Sequence, residues 1–309
     1  MLTTCYPRPT LLCLPSNHSP NSSFPHRVND LSMQPKSTGI SRRLVIGQYK
    51  QYHNTSIDLP LNRTQPFGLI LPGPINSSSV IDQSVIIRPT SYEILESGMI
   101  LMKNHINLNE QVEIVNICHK LGVGAGGFYR PTYGSGSKLR LHMMSFGRNW
   151  HPETKYTQLY RSDGSKPPPV PGVLVSLVQT LIQDARARVK SPYEIPSMCP
   201  DICLVNFYSV VGGLGLHQDN DESYEGLTKG LPVVSISIGD SCEFLYGHTR
   251  DKFKARKVLL ESGDVLLFGG KSRLIYHGVN KIIPDSTPLS LLQKTMLKPG
   301  RLNLTFRQF

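Results

Sequence analysis

Residues 301–307 read Arg-Leu-Asn-Leu-Thr-Phe-Arg, a strict alternation of polar and apolar side chains. Alternation with a period of two puts the two sets on opposite faces of a β-strand. Leu302, Leu304 and Phe306 make one face apolar, while Arg301, Asn303, Thr305 and Arg307 occupy the other. In an open sheet such a polar face meets water; in a small barrel it meets the lumen. Two arginines and an amide on a lumenal face need an anionic guest, because unpaired buried charge is costly. A dicarboxylate satisfies both arginines, each through a bidentate fork.

A second pattern lies upstream. His217 and Asp219 flank Gln218, and His277 follows sixty residues after His217. Residues i and i+2 of a strand point to the same side, so His217 and Asp219 can grip one ion while Gln218 faces away. Two imidazoles and one carboxylate are the ligand set of a non-haem Fe(II) oxygenase, which keeps its other coordination positions open. A lone histidine is more often a hydrogen-bonded structural residue, and His105, His142, His151 and His248 are read that way. Asp264 is expected to shape the turn into the strand that follows it, and Arg273 to be a surface cation.

Six blocks carry a resemblance: Leu204-Val-Asn206-Phe-Tyr208, Gly215-Leu-His217-Gln-Asp219-Asn-Asp221-Glu222, Val233 to Gly239, Gly263-Asp264-Val265, Ser272-Arg273-Leu-Ile-Tyr-His277-Gly278 and Arg301 to Gln308. In this order they resemble the catalytic core of the AlkB family of Fe(II)/2-oxoglutarate dioxygenases. The resemblance implies an α+β fold in which a double-stranded β-helix, or jelly-roll, spans 196–309. Supporting helices and a nucleotide-recognition lid would fill 89–195. It implies Fe(II), 2-oxoglutarate and O2 as cofactor and cosubstrates. His217, Asp219 and His277 would be the metal ligands and catalytic centre. Arg301, with Tyr208 and Asn303, would hold the remote carboxylate of 2-oxoglutarate, and Arg307 with Asn206 the end nearer the metal.

The same resemblance implies hydroxylation of an N-methyl carbon on an alkylated base, followed by release of formaldehyde. A Trp in the lid stacks on the target base in this family, which points to Trp150, with Tyr156 and Tyr160 as further substrate contacts. Aromatics interleaved with Arg140, Arg148 and Arg161 suit that role on physical grounds as well. Asp221 matches a position that contacts the exocyclic amine of the base. DNA bearing N6-methyladenine or 1-methyladenine-type lesions is the expected substrate. Methylated tRNA, or a protein or small molecule treated with the same chemistry, is the alternative.

Composition agrees with a nucleic-acid partner. The chain has 309 residues and a formal net charge of +11, which favours polyanions. No apolar run approaches the roughly 20 residues needed to cross a bilayer, so a soluble, monomeric protein without a membrane partner is expected. The six cysteines show no paired spacing, and Cys199 and Cys203 are read as buried thiols.

Residues 1 to about 88 are rich in Ser, Asn and Pro, with Asp30, Asp58 and Asp82 as the only acids, and are read as a flexible arm. Localisation is expected in nucleus or cytoplasm, with a chloroplast or mitochondrial address as the alternative that an acid-poor arm permits. The ordered part is expected to begin near Ser91. Asn107 and Glu110 form a capping box for a helix whose apolar residues are Leu108, Val112, Val115, Cys118 and Leu121. A second helix is expected from Pro171, with Leu174, Leu177, Val178, Leu181, Ile182 and Ala185 on one face. Gly122, Gly124 and Gly127 have dinucleotide-fingerprint spacing but follow a helix, where that motif has no function.

Overall fold

In the computed structural model the alternating segment is a strand near the middle of a seven-stranded antiparallel sheet. The structure describes Pro66, Phe67 and residues 90–309 apart from 192, all within the unit Asn62–Phe309. In chain order the strands are β1 (Ser91–Glu96), β2 (Met99–Lys103), β3 (His142–Phe146), β4 (Ile202–Tyr208), β5 (Leu214–His217), β6 (Val233–Gly239), β7 (Cys242–Gly247), β8 (Arg256–Leu260), β9 (Val265–Phe268), β10 (Tyr276–Ile282) and β11 (Arg301–Arg307). The helices are α1 (Leu108–Gly122), α2 (Gly172–Arg186), α3 (Tyr224–Thr228) and α4 (Leu289–Lys294).

The major sheet runs β1-β2-β9-β6-β11-β4-β3 and the minor sheet β5-β10-β7-β8. This is the expected jelly-roll. β11 pairs over its whole length with β4 on one side, Arg301 opposite Tyr208 and Asn303 opposite Asn206, and with β6 on the other. Its apolar residues Leu302, Leu304 and Phe306 point outward into a core shared with α1 and α2. Burying each contributes about 1.5–3 kcal/mol. Its polar residues therefore face the minor sheet, and all are buried. A second core, including Leu204, Phe268, Phe244 and Ile282, bridges the two sheets.

The helices form where the local signals place them. Asn107 and Glu110 close a reciprocal capping box, and α1 starts at Leu108. Its buried stripe is centred on Gln111, Ile114, Val115 and Cys118, with Leu108, Val112 and Leu121 at the margin. Buried Gln111 is satisfied by the Ile106 carbonyl at 2.8 Å and the Ser262 hydroxyl at 2.6 Å. Pro171 caps α2, which buries Leu174, Val178, Leu181, Ile182 and Ala185. Asp264 accepts from the backbone N–H of Asn104 at 2.8 Å and of Glu261 at 2.7 Å, which fixes the turn into β9 as expected.

Three features depart from the expectations. Phe67, inside the stretch read as a flexible arm, is buried in the core with its ring 4.9 Å from His119 and 5.8 Å from Phe128. The rest of residues 1–88 lies outside the described residues, apart from Pro66. Residues 89–195, expected to hold supporting helices and a lid, also supply β1, β2 and β3 to the major sheet, and β3 buries Met143, Met144 and Phe146. Cys203 is a buried thiol, but Cys199 is disulfide-bonded. Among the described residues no helix is long and apolar enough to cross a membrane.

Candidate active site

His217 ends β5, and its Cα pairs with that of His277 on β10. The Nε2 atoms of His217 and His277 lie 3.6 and 3.7 Å from the two carboxylate oxygens of Asp219. The three ligand atoms are all within 4.8 Å of one another, the one such cluster among the described residues. Each imidazole is oriented from behind: Nδ1 of His217 meets the Gly215 carbonyl at 2.9 Å, and Nδ1 of His277 the Ile275 carbonyl at 3.1 Å. Donation from Nδ1 leaves the Nε2 lone pair free, which is the tautomer a metal needs.

Asp219 is not in the strand, as the two-residue spacing implied, but just beyond it. Its loop is held by the guanidinium of Arg273, which donates to the Asp219 carbonyl, and by Gln218, which reaches the Leu274 carbonyl at 2.5 Å. Arg273 is a correction, because the expected surface cation is 3% exposed and ion-paired to buried Glu222 at 2.8 Å. Only the tertiary fold reveals this pair, as nothing periodic links residues 222 and 273.

Electrostatics prepare the trio for a cation. Burial alone would raise the Asp219 carboxyl, but Arg307 and the two histidines outweigh it and hold Asp219 well below the usual carboxylate range. Burial pushes His277 down to about 4, so it is neutral at physiological pH. Burial also pulls His217 down, but its bond to Asp219 more than reverses this and its pKa is raised.

A cleft runs from these ligands between the sheets, lined by Asn206, Tyr208, Arg301 and Asn303 among others. Arg301 is 1% exposed, and its Nε and Nη1 have no hydrogen-bond partner. A buried cation with open donors is stable only with an anion opposite, so the chemistry of the cleft fits a dicarboxylate. Asn303 lines it as a wall: its amide donates to the Ser235 hydroxyl at 2.8 Å and the Ile236 carbonyl at 3.0 Å, leaving no free N–H. Arg307 is likewise engaged, with Asp219 at 2.5 Å, Glu222 at 3.2 Å and the Tyr156 hydroxyl at 3.0 Å. It holds the Asp219 carboxylate in place.

A second cavity of about 310 Å3 opens over the same centre, lined by Trp150, Tyr133, Leu141, Met143, Lys155 and Arg250 as well as His217, Asp219 and Asp221. The Trp150 indole N–H donates to the Asp221 carboxylate at 2.8 Å. Lys155 adds an ion pair to Asp221 at 3.3 Å and sits 5.4 Å from the Trp150 ring centroid. Asp221 thus fixes the ring that faces the cavity. Two expected substrate contacts are corrected. Tyr156 is buried beneath Arg307 and packs edge-on against Phe309; Tyr160 is 56% exposed and does not line the cavity. Tyr133 stands there instead, a residue that periodicity could not single out because it lies in a loop. Arg161 and Arg148 are spent on stacking over Tyr129 at 4.0 Å and Phe309 at 3.9 Å.

Fold and site together define a jelly-roll of the oxygenase type, with two histidines and an aspartate placed to hold Fe(II) and an arginine-lined cleft whose chemistry fits 2-oxoglutarate. Comparison with known proteins narrows this. The 2OG-Fe(II) oxygenase superfamily model matches residues 98–307. The Arabidopsis thaliana protein named DNA N(6)-methyladenine demethylase ALKBH1C is 53% identical over 224 residues, covering 70% of this chain and 49% of that protein. A solved structure titled "The structure of OsALKBH1" is 51% identical with a TM-score of 0.67, covering 71% of this chain and all of that one. A Schizosaccharomyces pombe protein named tRNA demethylase abh1 is 36% identical over 151 residues, covering 47% of this chain and 46% of that protein. The chain therefore belongs to the AlkB family of Fe(II)/2-oxoglutarate dioxygenases. It spans about half the length of the curated relatives it matches.

Proposed function

We propose that the protein is an Fe(II)/2-oxoglutarate-dependent oxidative demethylase of alkylated nucleobases, acting on DNA that carries N6-methyladenine or 1-methyladenine-type modifications. The observation that carries this reading is Trp150, whose ring is fixed by Asp221 at 2.8 Å over a cavity that ends at His217 and Asp219. An aromatic plane above a metal site suits a flat base better than a flexible peptide side chain. Two plant relatives carry DNA N(6)-methyladenine demethylase in their names, which supports the choice of substrate.

When bound, Fe(II) with 2-oxoglutarate and O2 supplies the oxidant that converts an N-methyl group to a hemiaminal, which collapses to the free amine and formaldehyde. The chain's own residues do the rest. Arg301 and Tyr208 anchor the far carboxylate of the cosubstrate, and Asn206, whose Oδ1 has no partner, sits where the cleft and the base cavity meet. Trp150 holds the base with its methyl group toward His217 and Asp219. Lys155 and Arg250 supply positive charge at the cavity wall. Trp150 can stack on a base only after that base has left its pair, so a paired target must first be turned out of its duplex.

Methylated tRNA is the second reading, supported by the fission yeast relative's name. Incubation with Fe(II), 2-oxoglutarate and a panel of methylated DNA and RNA oligomers, with methyl loss measured by mass spectrometry, separates the two. Loss from DNA supports the proposal; loss from RNA alone moves the substrate to tRNA. Intact methyl groups throughout, with 2-oxoglutarate consumed on another acceptor, would refute both. A DNA substrate also calls for a compartment that holds DNA, the nucleus or, as the alternative, a chloroplast or mitochondrion, which a fluorescent fusion of the full chain tests.

A further inference from the structure

A cavity of about 670 Å3 lies beside the loop joining β4 to β5 and is lined by Arg140, Arg250, Lys252 and Lys281, with no aspartate or glutamate in its lining. All four cations are exposed, and none forms an ion pair with a described residue. Arg250 and Leu214 line both this cavity and the base cavity, so the two adjoin. Val210 and Val211 edge the cavity from the loop, 49% and 77% exposed. Two adjacent valines in water beside a row of cations match the alternation of a nucleic-acid strand, apolar base faces beside charged phosphates.

We propose that this cleft carries the strand flanking the target base: Arg140, Lys252 and Lys281 hold successive phosphates, and the Val210–Val211 ridge supports a neighbouring base. The proposal rests on the nucleobase reading above and extends it to the path of the strand. Charge excludes nearer occupants. Residues 1–88 contain eight Lys and Arg against three Asp, and a second copy carries +11, so both would be repelled. An acidic protein would meet the cations but has no reason to run into the base cavity, which a strand bearing the target must do.

The test compares the full-length protein with a Lys252→Glu/Lys281→Glu variant and a Val210→Ser/Val211→Ser variant, using a methylated single strand of about fifteen nucleotides and a methylated trinucleotide. Charge reversal removes two lysine–phosphate pairings, so Kd of that variant for the longer strand rises tenfold or more. The slope of log K against log salt falls by about 1.4, because each phosphate neutralised on a single strand accounts for about 0.7. The valine variant loses affinity with its salt slope unchanged. Turnover of the trinucleotide, which offers the cleft at most one flanking phosphate, falls less in the charge-reversal variant than turnover of the longer strand does.

Equal affinity and equal slope, in a protein that demethylates the longer strand, would overturn the track and leave the nucleobase reading standing. Equal loss on the trinucleotide and the longer strand in the charge-reversal variant would also overturn it, by placing the effect in the base cavity. If the unmodified protein consumes 2-oxoglutarate but neither binds nor demethylates either oligomer, the nucleobase reading falls and the track with it. Thermal unfolding of both variants confirms that they are folded.

Discussion

Replacing Arg301 with Met tests the cosubstrate site through two effects of opposite sign. Arg301 is buried at the centre of the major sheet, and two of its nitrogens lack partners. Two charge-assisted hydrogen bonds to a carboxylate, at about 1.5–3 kcal/mol each, give about 3–6 kcal/mol. Displaced water offsets part of this, and about 3–4 kcal/mol remains. At 1.4 kcal/mol per tenfold, the Kd for 2-oxoglutarate should rise about 10²- to 10³-fold.

The unliganded protein should behave in the opposite way. Methionine fills similar space without a charge, so Arg301→Met should leave stability unchanged or improve it, as removing uncompensated buried charge does. Anaerobic titration calorimetry with Mn(II) in place of Fe(II) reads the first effect, and urea unfolding without cosubstrate reads the second. A Kd within about threefold of the parent would refute the anchor. So would a loss of several kcal/mol in the unliganded variant, since it would mean that Arg301 already has a structural partner.

His217→Ala should abolish both Mn(II) binding and demethylation; retained binding would remove His217 from the ligand set. Trp150→Ala should cripple turnover of a methylated oligonucleotide while leaving 2-oxoglutarate affinity intact, and Asp221→Asn should retain more turnover than Asp221→Ala because an amide oxygen still accepts from the indole. Equal rates for the two Asp221 variants would argue against the tether. Metal affinity should fall as pH drops through the raised pKa of His217, because the metal must displace its proton. Asp219 stays ionised and His277 neutral down to about 4, so one proton is displaced and the slope is about tenfold per pH unit. A flat response between pH 5 and 7, or a hundredfold slope, would contradict the assignment. Arg273→Leu should cost about 3 kcal/mol in urea unfolding by stripping a partner from buried Glu222; a change under about 0.5 kcal/mol would return Arg273 to the surface.

The residues that sequence reading placed correctly share a property. The capping box at Asn107 and Glu110, the alternation from Arg301 to Arg307 and the apolar face of α2 are all written within a few neighbouring positions. Periodicity and capping are local physics, so they survive any arrangement of the rest. The metal trio was legible for a different reason, because its residue types are rare enough in combination to carry chemistry on their own.

The misplaced residues lie where side chains meet across long separations. Tyr156 meets Arg307 across 151 positions, and Arg273 meets Glu222 across 51. No local pattern distinguishes a tyrosine that seals an arginine from one that meets a substrate, nor a buried arginine from a solvated one. Sequence alone determined the residue types of the His217, Asp219 and His277 trio and which face of β11 is polar, because the first needs no fold and the second follows from the geometry of a single strand. The closure of two sheets around that face decided which cations remain open to a ligand and which are consumed by the protein itself, since burial and pairing exist only after distant segments have packed.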